Sequence, residues 1–147
     1  MGGRTYQTEA LENVTVAFPE THFVICHLGF PDVPMPDPAR REAWHRMASL
    51  AGRDNVWFDF AALTDFCRGE APAFPTPPKL VRAFADEFGA HKLLWGTDAP
   101  GALCAADYGL LLALYRDSPL FTEREKALLL GENALRAYGL GEYGQNA

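Results

Sequence analysis

The chain has 147 residues, the length of about one ordinary domain. Hydrophobic residues make up 48% and charged residues 22%, a balance that supplies a core and argues against intrinsic disorder. Thirteen basic against nineteen acidic residues give a net charge of −6, which argues against a nucleic-acid or anionic-membrane binder. No apolar run approaches the roughly 20 residues that span a bilayer. The start, Met-Gly-Gly-Arg-Thr-Tyr-Gln, has no apolar stretch and does not read as a signal peptide. Cys26, Cys67 and Cys104 form no C-x-x-C and are odd in number. They read as buried free thiols in a reducing compartment, so a cytoplasmic location is expected.

In chain order, Thr8 to Phe18 places Leu11, Val14, Ala17 and Phe18 at helical spacing before Pro19. Residues 21–27 form a continuous apolar run, as in a strand buried on both faces of a parallel sheet. A proline-rich loop covers 30–38. Asp37 then caps a helix that opens on Pro38, turns Ala43, Trp44, Met47, Ala48 and Ala51 inward, and ends at Gly52. A second strand covers Asn55 to Phe60, and a second loop 64–78. A helix is expected over Lys79 to Phe88 with Gly89 as its stop. The third strand, Lys92 to Trp95, runs into Gly96-Thr-Asp-Ala-Pro100. Two helices follow, one from about Ala105 to Arg116 and one opened by a Thr122/Glu125 capping box. Gly131 interrupts the second, which resumes over Asn133 to Tyr138; residues 141–147 read as a flexible tail.

Strand starts near 21, 55 and 92 are separated by 34 and 37 residues, the spacing of right-handed β-loop-α crossovers. Such units build an open doubly wound sheet or a (β/α)8 barrel, and both place function at the carboxyl ends of the strands. That rule selects His27, Asp59 and Asp98. Imidazole and carboxylate suit a divalent metal such as Zn2+, and equally general acid–base work. Each position also has a structural reading. His27 could be a hydrogen-bonded strand end, Asp98 an Asx turn, and Asp59 a loop anchor, the role favoured for it. His22, His45 and His91 read as surface or packing residues. Alternation along a strand would turn Cys26 toward the core and away from His27. Neither a phosphate loop nor a nucleophile elbow is present.

The segments Phe23-Val-Ile-Cys-His-Leu-Gly29, Asn55-Val-Trp-Phe-Asp59, Leu94-Trp-Gly-Thr-Asp-Ala-Pro100 and Gly131-Glu-Asn-Ala-Leu-Arg-Ala-Tyr-Gly139 occur in this order. Together they resemble the C-terminal part of the amidohydrolase-related family, over about Thr8 to Leu140. That family contains metal-dependent hydrolases and non-oxidative decarboxylases. The resemblance implies an α/β fold, the portion of a (β/α)8 TIM barrel from about strand six to strand eight plus closing helices, spanning 1–140. It implies a divalent metal, usually zinc, with Asp98 as a metal-binding and catalytic carboxylate and His27 acting on substrate or on the metal-bound water. Asn133 and Arg136 match the closing helix and are read as docking it.

The family's strand-one His-x-His and strand-five histidine have no counterpart, since no H-x-H occurs in the sequence. Units of about 35 residues, eight times over, give roughly 280, a full barrel. This chain corresponds to about half. Three parallel strands would leave two unpaired edges, so a missing N-terminal half or a homo-oligomer is expected, with a small molecule as substrate and neither nucleic acid nor membrane as partner. The alternatives are a non-catalytic half-barrel acting through self-association and, less favoured, an open flavodoxin-like sheet.

Overall fold

A computed structural model describes residues 5–31, 33 and 37–140. Three parallel strands, β1 (Phe23–Ile25), β2 (Val56–Asp59) and β3 (Leu93–Leu94), form one sheet in the order β1-β2-β3. The register pairs Phe23 with Val56, Ile25 with Phe58, and Phe58 with Leu93. The strands run in sequential order, with no reversal among the described residues.

Around the sheet lie α1 (Thr5–Ala17), α2 (Pro38–Ala48), α3 (Leu63–Phe66), α4 (Thr76–Phe88), α5 (Tyr108–Arg116), α6 (Glu123–Ala127) and α7 (Asn133–Ala137). Alternation along the strands puts Phe23, Ile25, Val56, Phe58 and Leu93 on one face. There they pack with Met47, Leu50 and Ala51 of the α2 segment and Val81 and Phe84 of α4. Phe58 and Phe84 lie 5.0 Å apart between ring centroids, and both are almost fully buried. Burying each such side chain contributes about 1.5–3 kcal/mol. On the other face Trp57 is half-buried, stacked by His22 at 4.8 Å and overlain by the Lys92 ammonium at 5.2 Å. Lys92 donates to Arg53 O at 2.6 Å and Val56 O at 3.3 Å, and burial lowers its pKa.

Several boundaries depart from the sequence reading. The first helix turns Thr8 and Thr15 inward and leaves Phe18 half exposed. Thr15 satisfies its hydroxyl on Leu11 O at 2.7 Å, so a polar residue serves on the inner face. The loop expected over 64–78 contains α3 and a 3-10 turn at Arg68–Glu70, and α4 begins at Thr76. Pro77 and Pro78 fit its first turn, where a backbone N–H has no helical partner in any case. The third strand shortens to two residues. The helix expected from Ala105 starts at Tyr108, capped by Asp107 on Leu110 N. Gly131 does not break the last helix, because a π-helical turn over Leu128–Glu132 carries it into α7. The Asp37 cap, Pro38 and the Thr122/Glu125 capping box are present as read.

Residues 32 and 34–36 of the loop from 30 to 38, and the expected tail at 141–147, lie outside the described residues. No helix among the described residues is long and apolar enough to cross a membrane.

Candidate functional site

The carboxyl ends of the strands gather the polar residues. β1 ends at Ile25, two residues earlier than the sequence suggests, and the chain turns through a 3-10 segment, Cys26–Gly29. His27 (φ 56°) and Leu28 (φ 51°) are both left-handed there. Non-glycine residues seldom adopt this region, and it costs about 1–2 kcal/mol per residue. Ala62 beyond β2 (φ 56°) and Asp98 beyond β3 (φ 57°) share it. Each of the three strand tips is thus followed by a strained turn, a feature concentrated at functional sites.

His27 and Asp59 are directly linked. The His27 backbone N–H donates to Asp59 Oδ1 at 2.8 Å, and the Ala61 N–H donates to the same oxygen at 3.1 Å. The His27 ring stops short: its Nδ1 is 3.7 Å from that oxygen, beyond hydrogen-bonding range, and is buried with no partner. Phe30 and Phe66 meet the imidazole edge-on at 4.9 and 6.3 Å between centroids. The structural role read for Asp59 is what it performs: the carboxylate holds the turn that carries His27.

Cys26 is exposed and does not face the core. The alternation argument fails because β1 has already ended. Burial, then the charge and hydrogen bonding of Asp59 and the charge of Asp98, push its thiol pKa up. Cys104 is also exposed, so only Cys67 is the buried thiol expected. Asp98 is exposed, its carbonyl accepting from Ala102 N at 3.1 Å. Among the described residues no group of three or more His, Cys, Asp or Glu side chains is placed to hold a metal ion. The residues present therefore do not by themselves fit the zinc centre implied by the resemblance.

The other histidines sit elsewhere. His22 Nδ1 meets Ala137 O at 2.8 Å, and His45 meets Glu87 at 2.6 Å on an exposed face. Burial lowers the His91 pKa, helped by Lys92 and Arg136. Asn133 docks the closing helix: fully buried, it donates to Ala90 O and Leu93 O, both at 2.8 Å. Arg136 does not share this task; it is exposed and reaches only Glu132, at 3.9 Å. Sequence reasoning missed Thr64, Phe66 and Phe30, all on segments read as loop, where no periodicity marks a side chain.

Parallel strands with strained turns at their carboxyl tips define an α/β protein whose candidate site residues gather at the strand ends. The chain belongs to the amidohydrolase family, whose profile, described as Amidohydrolase, matches residues 2–140. It is 36% identical over 100 residues to an L-fucono-1,5-lactonase from Burkholderia ambifaria, covering 65% of this chain and 33% of the lactonase. Two crystal structures of an amidohydrolase from Burkholderia multivorans are similar in fold at 21% identity. One, with bound HEPES, superimposes with a TM-score of 0.71, and one, with bound zinc, with 0.72; each comparison covers 92% of this chain and 50% of the other. The chain thus spans about a third of the length of the curated relative and half that of the solved structures.

Proposed function

We infer that these residues form the strand-six to strand-eight portion of a (β/α)8 barrel in a metal-dependent hydrolase acting on a lactone or a related small carbonyl compound. The observation that carries this reading is the placement of His27 and Asp98 in left-handed turns at the carboxyl tips of parallel strands. The lactonase relative supports hydrolysis over non-oxidative decarboxylation.

In this reading His27, its turn held by Asp59, presents an imidazole to the substrate oxygen. Asp98 supplies one carboxylate to a zinc site whose other ligands come from outside the described residues. A metal there would polarise the carbonyl and lower the pKa of water. The half-buried sheet face at Val24 and Trp57 would then meet a complementary barrel half.

The test joins this chain to a barrel half carrying strands one to five, then measures zinc content and lactone hydrolysis. Stoichiometric zinc and turnover, both lost in Asp98→Ala, are expected. An assembled protein that binds no metal, or an Asp98→Ala form that turns over normally, rejects the reading. The rival, a non-catalytic half-barrel that pairs with itself, predicts a dimer in light scattering and no gain from the added half.

A further inference from the structure

Behind the tip of β3 lies a small recess of about 10 Å3, room for a single water-sized oxygen, between the turn after β2 and helix α5. Phe60, Leu111 and Tyr115 form apolar walls, and Thr97, the residue before Asp98, also lines it. Two other lining residues carry unpaired polar atoms. Thr64 is 3% exposed, and its Oγ1 is buried without a partner. Trp95 Nε1 is likewise buried and unpaired. The indole edge meets Tyr108 at 5.7 Å, which holds the ring in place. Buried polar groups are nearly always hydrogen-bonded, and leaving one unsatisfied costs about 1–3 kcal/mol.

We propose that this recess is a ligand subsite that receives the neutral oxygen, carbonyl or hydroxyl, of a small molecule between Trp95 Nε1 and Thr64 Oγ1. The chemistry of the lining selects that class. An indole N–H only donates, and a threonine hydroxyl can donate as well, so together they suit an acceptor atom. Among the described residues no charged side chain lines the recess, so a neutral acceptor is preferred to a carboxylate or phosphate. The recess has room for an oxygen substituent only, with the body of the molecule left outside. Gly96 suits this floor: a Cβ there would lie 3.2 Å from Ala61 Cβ. The proposal deepens the hydrolase reading, since it gives the substrate a second anchor beside Asp98. It rests on that reading only for the identity of the substrate.

The test is nitrogen-15 NMR of the full chain, titrated with γ-butyrolactone and, as the charged comparator, acetate. The Trp95 indole N–H resonance is expected to shift saturably with the lactone and not with acetate. Thr64→Val should weaken the lactone about fivefold, and Thr64→Ser should restore it. If Thr64→Val does not fold, Trp95→Phe followed by ligand-detected saturation transfer gives the same comparison. An unmoved Trp95 resonance, an equal response to acetate, or a water contact at the indole that the lactone never displaces overturns the subsite. The Trp95 shift is read on the chain alone, without metal or turnover. Lactone binding here without turnover in the assembled protein therefore rejects the hydrolase reading alone, and turnover without the shift rejects the subsite alone.

Discussion

Asp59 Oδ1 accepts the backbone N–H of His27 at 2.8 Å while the imidazole of the same residue stays 3.7 Å away and unbonded. The carboxylate therefore controls where His27 stands and leaves the Nδ1 edge of the ring uncommitted. Two adjacent left-handed residues, His27 and Leu28, would relax toward ordinary backbone without that anchor.

Replacing Asp59 tests this directly. Asp59→Ala leaves the His27 and Ala61 N–H groups unpaired and should destabilise the chain by about 2–3 kcal/mol. Asp59→Asn keeps an acceptor oxygen and should cost less than half as much. Denaturant unfolding of the three proteins is the measurement, and equal losses for both variants would contradict the anchor.

The proximity of Cys26 to two carboxylates has a chemical readout. Burial and the charges of Asp59 and Asp98 hold the thiol protonated. Asp59→Asn and Asp98→Asn should both speed alkylation of Cys26 by iodoacetamide at pH 8, Asp59→Asn more strongly. Peptide mass mapping distinguishes Cys26 from Cys104, whose rate should not change.

Gly29 should tolerate no side chain. Its φ is 69°, and an added Cβ would meet Met47 Cγ at 2.8 Å, against the helix that covers β2. Gly29→Ala is expected to lose about 1–3 kcal/mol, from backbone strain and from overpacking. A drop in thermal midpoint of several degrees would show it.

Asn133 should be the side chain the closing helix can least do without. Asn133→Ala strips the donors from Ala90 O and Leu93 O in a fully buried place and should cost about 2–4 kcal/mol. Arg136→Ala, by contrast, removes an exposed contact at 3.9 Å and should change stability by less than about 0.5 kcal/mol.

Alkaline pH offers a further check. Burial, with a smaller push from Glu70, raises the Cys67 thiol from 9.0 to about 11. Between those values the unfolded chain loses its proton while the folded one retains it, so stability falls as pH rises. Below about pH 9 the contribution is complete. Cys67→Ala should reduce the decline that begins near pH 9, leaving the share of Cys26, whose thiol is also raised, and the later one from Tyr115, whose hydroxyl burial also holds protonated. Denaturation across pH 8 to 11 distinguishes the two.

The features legible in the sequence were those written in neighbouring residues. Hydrophobic runs marked three strands, and Asp37-Pro38 and Thr122-x-x-Glu125 marked helix starts, because capping and periodicity act over three or four positions. The order of the motifs identified the family. Tertiary structure alone decided where β1 stops, that Cys26 turns to solvent, that Asn133 and not Arg136 docks the last helix, and that Asp59 grips the His27 turn from 32 residues away. Left-handed backbone at Leu28 and Ala62 has no signature in their side chains. Such conformations persist only when packing and hydrogen bonds from distant segments outweigh their local cost, and those partners come together only in the fold.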